Sequence, residues 1–254
     1  IASGSMGTPI GPEKMQIFCE RYRPLPMASI AIPLDGISSV LMDNDYGMRE
    51  LMLHLVEVHG YRRIAFFHKQ EGHPESDARY KAYVSVLAEH GIAVDPTLVI
   101  PGVHYNTPES GIRLLLDERQ LRPRIDVEAL VANDDGIALQ ILDILQARDI
   151  QVPDDMAVVG FDDIEDSRYV IPALTTVRQP LHEQGRRAAE LVLAQLQEET
   201  VPPQVSLRPQ LIVRQSCGCL DAAVLQAESR LRPETSAEPG ASFPAAMATR
   251  REVM

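Results

Sequence analysis

The chain has 254 residues, 45% hydrophobic and 24% charged, with a formal net charge of -12 at pH 7. That is enough apolar material for one large domain or two modest lobes with real cores, and the acidic balance argues against nonspecific attraction to nucleic acid or an anionic membrane. No apolar stretch approaches the ~20 residues that span a bilayer and no secretory signal opens the sequence, so no membrane partner and a cytoplasmic location are expected.

Residues 1–10 read as the end of a strand running into a loop. Pro12 and Glu13 then open a helix to about Tyr22, with Met15, Phe18 and Cys19 on one side, and Pro24 and Pro26 end it. Short apolar runs at 27–32 and 39–42 flank the turn Leu34-Asp35-Gly36. Asp43-Asn44 follows, then a helical pattern (Met48, Leu51, Leu55) that stops at Gly60. Residues 64–67 form the next buried strand, leading to His68 and a polar loop. A helix over 76–90 carries Tyr80, Val84 and Leu87 as its core stripe, closed by Gly91.

Residues 98–100 read as a strand, followed by a loop through His104 and Tyr105. Thr107 is the expected cap, and Pro108 the start, of a helix that buries Ile112, Leu115 and Leu116. The strand at 129–132 closes on Asn133-Asp134-Asp135, and the next helix buries Ile141, Leu142 and Leu145. Residues 156–161 are an unbroken apolar run, the pattern of a strand covered on both faces. A helix over about 183–197 and two short strands at 205–207 and 211–213, split by Pro209, complete the series. Strand and helix alternating at this spacing predict an α/β fold with doubly wound parallel sheets and right-handed crossovers. From Asp221 to Ala246, alanine, proline, serine and glutamate dominate, and 221–254 reads as a linker or disordered tail.

In that fold four strand ends converge, at His68-Lys69, His104-Tyr105, Asn133-Asp134 and Asp162-Asp163. Convergent polar groups past the carboxyl ends of parallel strands are the anatomy of a small-molecule pocket. The aspartates 162 and 163 can accept paired hydrogen bonds from a polyol or an amine; they are equally suited to solvent or to capping the next turn. Arg79, one turn into the helix after the first strand end, offers a planar fork for vicinal hydroxyls or a carboxylate. Asn133 suits a helix cap as well as a ligand contact. Tyr105 is the nearest aromatic for packing on a flat ligand face. His68, His73 and His104 are loop histidines, a type most often simply solvated.

Three cysteines, Cys19, Cys217 and Cys219, form no spaced framework, which favours a reducing compartment. Cys217-Gly218-Cys219 offers two thiolates, but the sequence spacing shows no second ligand pair, so no metal and no cofactor are expected. No Gly-x-Gly-x-x-Gly and no phosphate-binding loop is present, against a nucleotide-dependent enzyme.

The segment VVGFDDIEDSRYVIPALTTVRQP (158–180) closely resembles the end of the effector-binding core of LacI/GalR transcription regulators. Asp43-Asn44 with Gly47, the His-Gly-Tyr-Arg-Arg-Ile run from His59, Ala132-Asn133-Asp134 and the Arg214-Gln215-Ser216-Cys217-Gly218 ending extend the resemblance over about residues 1–216. It implies a two-lobed fold of the type I periplasmic-binding-protein kind. Residues 1–44 and 180–208 would be a partial N-terminal lobe, and 45–179 with 209–220 the C-terminal lobe. Asp43, Asn44, Gln179 and Pro180 would serve as the hinge, Arg79, Asn133 and Asp162 as effector contacts, and His73 and Glu75 as variable specificity positions. The expected function is sensing of a sugar- or nucleoside-like small molecule, with closure of the lobes passed to an attached output.

The same resemblance implies a homodimer and places the DNA-reading headpiece, with part of the N-terminal lobe, outside this chain. An exposed sheet edge and edge-mediated association follow from that. The ending through Cys219-Leu220 and the charged Arg250-Arg251-Glu252 is similar to sensor modules that precede signalling domains, an alternative output beyond the C-terminus. Two rival readings stay open. A metal-assisted hydrolase would use Asp134, Asp135, Asp162 and Asp163 with His68 or His104, although no Gly-x-Ser-x-Gly nucleophile motif appears. An extracytoplasmic solute-binding protein would need a signal sequence.

Overall fold

The computed structural model describes residues 12–68, 74–102 and 107–220. In chain order, α1 (Pro12–Glu20) precedes β1 (Ala28–Ile30) and β2 (Ser38–Met42). α2 (Asn44–Leu53) runs directly into a π-helical turn, His54–Val58, before β3 (Ile64–Phe67) and α3 (Pro74–Glu89). β4 (Val99–Ile100), α4 (Pro108–Arg113), β5 (Ala129–Ala132), α5 (Asp135–Gln146) and β6 (Ala157–Val159) follow. β7 (Thr176–Arg178), α6 (Leu181–Leu196), β8 (Gln204–Leu207) and β9 (Gln210–Ile212) end the series.

The apolar runs without alternation pair in parallel in the order β4-β3-β5-β6. Every residue of β3, β5 and β6 is buried. Because successive strand side chains point to opposite faces, Ile64 and Phe66 join Met48, Leu51, Leu55, Tyr83 and Val86 on the α2/α3 face. Ala65 and Phe67 join Ile112, Leu115, Ile137, Ile141 and Leu145 on the α4/α5 face. A second parallel sheet, β1-β2-β8, is thinner. Ala28 and Val40 pack with Ala188 and Leu191 of α6, while β8 alternates exposed and half-buried residues. β7 and β9 form an antiparallel pair, and the chain passes between the two sheets at Asp43, at Gln179-Pro180 and at Arg208-Pro209.

Several local expectations shift. The core stripe of α3 is Ala82, Tyr83, Val86 and Leu87, and Tyr80 and Val84 are only partly buried. Hydrophobic periodicity misses this because the inward face also buries a cation, Arg79. In α1, Met15 and Cys19 are buried but Phe18 is 38% exposed. Thr107 precedes α4 without a side-chain cap bond. The 156–161 run contributes only Ala157–Val159 to the ladder. At Gly160 the backbone turns to a different neighbour, with Gly160 N donating to Thr175 O (2.9 Å) and Asp162 N to Val177 O (2.8 Å).

Candidate functional site

Arg79 is the centre of the polar cluster at the carboxyl ends of β3, β5 and β6. It projects from the second turn of α3 and is 3% exposed. Its Nε donates to Asn44 Oδ1 (2.8 Å) and its Nη1 to the Asn133 carbonyl (2.6 Å). The guanidinium carbon stands 3.7 Å from the centre of the Phe161 ring, a cation–π seat that fixes the plane of the fork. Nη2 is aimed at Asp162 Oδ1, 3.7 Å away. That gap exceeds a hydrogen bond, so cation and carboxylate both retain capacity for a third group.

Asp162 follows β6 with φ 123°, a left-handed conformation rare for a residue with a side chain. Gln179 Nε2 donates to its Oδ1, and 31% of the side chain remains exposed. Burial pushes its carboxyl up to about 6, against the opposing pull of Arg79 and the Gln179 bond, with Asp135 and Asp134 adding repulsion. Asn133 is 1% exposed, and its Oδ1 has no hydrogen-bond partner among the described residues. A buried acceptor without a donor is costly, and its position beside Arg79 suits a ligand donor.

The neighbouring aspartates are committed elsewhere. Asp134 caps α5 by accepting from Ile137 N (2.9 Å), so the capping role open to Asn133 belongs to the next residue. Asp135 accepts from Thr176 Oγ1 (2.5 Å), Ser167 Oγ (2.7 Å) and Ile164 N (3.0 Å), and burial raises its pKa despite those bonds. A side chain at Gly160 would collide with that carboxylate. Burial of Asp163 would favour its neutral form, but Arg214 Nη2 (2.5 Å) and Arg178 Nε (2.6 Å) hold its carboxyl below the ordinary value. With three of four carboxylates occupied, the constellation suggested for a metal-assisted hydrolase is not assembled among the described residues.

His68 ends β3 nearly buried, stacked obliquely on Tyr80 (5.1 Å between ring centres) and facing Asp77 at 3.2 Å. Tyr80 in turn packs against the rings of Phe66 and Tyr83. Glu75 lies half-buried in the first turn of α3, without a partner that ties it to Arg79. His73, His104 and Tyr105 lie outside the described residues. Of the residues expected to form a hinge, Asp43 accepts from Tyr46 N (3.0 Å) as cap of α2, and Asn44 is the partner of Arg79. Gln179 doubles as the partner of Asp162, and Pro180 leads into α6. The partner roles of Asn44, Phe161 and Gln179 were missed because each depends on contact across elements.

The opposite end of the same sheet brings together residues that sequence spacing keeps apart. Cys217 and Cys219 do have a second pair: His54, His59 and the two sulfurs offer ligand atoms all within 4.8 Å of one another. Burial holds both imidazoles below the ordinary histidine value, aided for His54 by His59, and burial with the neighbouring Cys217 pushes Cys219 up to about 11.

A family model described as a periplasmic binding protein-like domain matches residues 53–217. The chain is similar to the HTH-type transcriptional regulator CelR of Thermobifida fusca, at 33% identity over 189 residues, covering 74% of this chain and 54% of that protein. It is similar to the HTH-type transcriptional regulator GalR of Escherichia coli K12, at 32% identity, covering 69% and 50%. The chain spans about half the length of these curated relatives. Among solved structures, a transcriptional regulator CelR–cellobiose complex superposes with a TM-score of 0.68 at 27% identity, covering 82% of this chain and 70% of that one. A regulatory protein of the LacI family from Chloroflexus aggregans gives 0.70 at 26%, covering 80% and 72%. No helix among the described residues is long and apolar enough to cross a membrane.

Proposed function

The chain belongs to the periplasmic binding protein-like family, in the form of a LacI/GalR-type effector-binding core, and from that premise we propose that it senses a small polyol such as a sugar. The observation that carries this reading is the buried fork of Arg79 beside Asp162 and the unpaired Asn133 Oδ1. A cation with spare donors, a carboxylate with spare lone pairs and a buried amide oxygen match the donor–acceptor pairs of vicinal hydroxyls. The relatives are regulators rather than enzymes, and the carboxylates around Asp162 are held in internal bonds, so binding without covalent chemistry is the reading they favour.

Asn44 and Gln179 give the site its mechanical consequence. Each lies at a crossing between the sheets and each bonds a binding-site residue, Arg79 or Asp162. A ligand that pulls on Arg79 and Asp162 therefore acts directly on two crossings, and the arrangement of residues 1–44 with 180–208 against 45–179 with 209–220 shifts in population. That shift is passed to an output outside these residues: a DNA-reading headpiece as in the relatives, or a signalling domain beyond the C-terminus. A cytoplasmic homodimer is the expected setting. A thermal-shift screen against mono- and disaccharides, nucleosides and amino acids, with Asp162→Ala as control, tests the proposal. A sugar that raises Tm for the wild type and not for the variant supports it. No shift from any sugar, with a shift from an amino acid or nucleoside instead, would redirect the effector class.

A further inference from the structure

We infer that His54, His59, Cys217 and Cys219 form a structural zinc site at the amino-terminal end of the four-stranded sheet. Four side chains from two segments distant in sequence aim one lone-pair atom each at a common point. His54 Nε2 lies 3.2 Å from His59 Nε2 and 3.4 Å from Cys217 Sγ. Cys219 Sγ lies 3.6 Å from His54 Nε2 and 3.4 Å from His59 Nε2. Tetrahedral zinc with bonds of about 2.05 Å to nitrogen and about 2.3 Å to sulfur sets N···N at about 3.3 Å and N···S at about 3.6 Å. These four separations lie close to the edges of that tetrahedron, and all the ligand atoms lie within 4.8 Å of one another.

Hydrogen bonding does not account for the cluster. His54 Nε2 faces three partners at once and carries at most one proton. A cation satisfies all four atoms together. Two imidazoles and two thiols in tetrahedral array are the donor set of a closed zinc centre, with no position left for a substrate. Binding releases two thiol protons to solvent as the sulfurs become thiolates.

The backbone is shaped to this end. In α geometry, residues five apart are separated by about 140° around the axis, which would keep His54 and His59 on different faces. The π turn His54–Val58 closes i to i+5 instead, and the two rings meet edge to face, 4.9 Å between centres. His59 is stacked on Tyr61 (5.2 Å between centres, 9° between planes), whose hydroxyl donates to the Cys217 carbonyl (3.1 Å). Gly218 lies between the cysteines at φ 104°, where a side chain would press on Tyr61 and His59. Such an ion fixes the segment ending at Cys219 to the base of α2, whose other end holds Asn44 and the hinge.

The test is metal analysis of the untagged, reduced chain, followed by cobalt titration of the chelated protein and of Cys219→Ser. The expected result is one zinc per chain as purified. Cobalt should give the strong visible bands of a tetrahedral ion with thiolate charge transfer in the near ultraviolet, and chelation should lower Tm by roughly 5–10 °C. Cys219→Ser, at a partly exposed position, should keep its far-ultraviolet circular dichroism and lose at least about half of the charge-transfer intensity. His59→Ala gives a second variant if the serine form unfolds, with loss of stoichiometric metal expected. A chain that carries no metal, binds cobalt only with a weak octahedral spectrum, or contains a Cys217–Cys219 disulfide in place of free thiols would overturn the inference.

Discussion

The two ends of the four-stranded sheet carry polar clusters built to opposite rules. At the carboxyl end, a 3.7 Å gap separates Arg79 from Asp162, and Asn133 Oδ1 has no partner among the described residues, so the protein's own groups leave bonding capacity unused. At the amino end, the four ligand atoms of His54, His59, Cys217 and Cys219 crowd to within 4.8 Å of one another. A site for a removable ligand has to remain unsatisfied without it, at a cost in stability. A site for a permanent ion can close completely. The difference teaches where to expect function and where to expect reinforcement on one scaffold.

That contrast breaks most readily at Arg79. Arg79→Ala leaves Asn44 Oδ1 and the Asn133 carbonyl buried without their donor, and we expect a loss of about 2–4 kcal/mol in denaturant unfolding together with loss of sugar binding. Metal content should not change. Asp135→Ala orphans two hydroxyls and the Ile164 amide and should cost about 2–3 kcal/mol by the same measurement.

Asp162→Asn sharpens the comparison because its two effects have opposite sign. Burial lifts the carboxyl to about 6 in the folded chain, whereas an unfolded aspartate releases its proton near about 3.9. Between about pH 4 and 6 the folded state therefore keeps a proton the unfolded state has lost, so stability falls as pH rises through that window and stays lower above it. The asparagine form should show a flatter Tm profile across that window and a higher Tm than wild type at pH 7, while binding sugar at least tenfold more weakly. Gln179→Ala gives the smallest effect: a further rise in the Asp162 pKa, read by NMR titration, and a few-fold loss of affinity.

How much of this was legible in the sequence differs between the same two ends. Strand limits at 64–67 and 129–132 coincide with the observed β3 and β5, because unbroken apolar runs have few alternatives. Asp162 and Asn133 stood out because they end such runs, and the resemblance singled out Arg79. What escaped was contact between elements. Asn44 was read only as a hinge residue, Phe161 only as part of an apolar run, and Tyr80 only as core.

The amino-terminal cluster was hidden for a physical reason. A reader applying α periodicity separates His54 from His59, and nothing local announces a π turn. The cysteine pair lies more than 150 residues away along the chain and meets the histidines where the segment after β9 runs beside β6, with Val158 N donating to Ser216 O (3.0 Å). Its one local signal, Cys-Gly-Cys, carries no meaning without partners that only the fold supplies.

The most direct test is isothermal titration of the sugar identified by thermal shift into three forms of the chain: wild type, Asp162→Asn and Cys219→Ser. Binding by the wild type, at least tenfold weaker binding by Asp162→Asn, and wild-type affinity in Cys219→Ser at a temperature where that variant is folded are expected. Unchanged affinity in Asp162→Asn, or loss of affinity confined to Cys219→Ser, would contradict the division of labour between the two ends of the sheet.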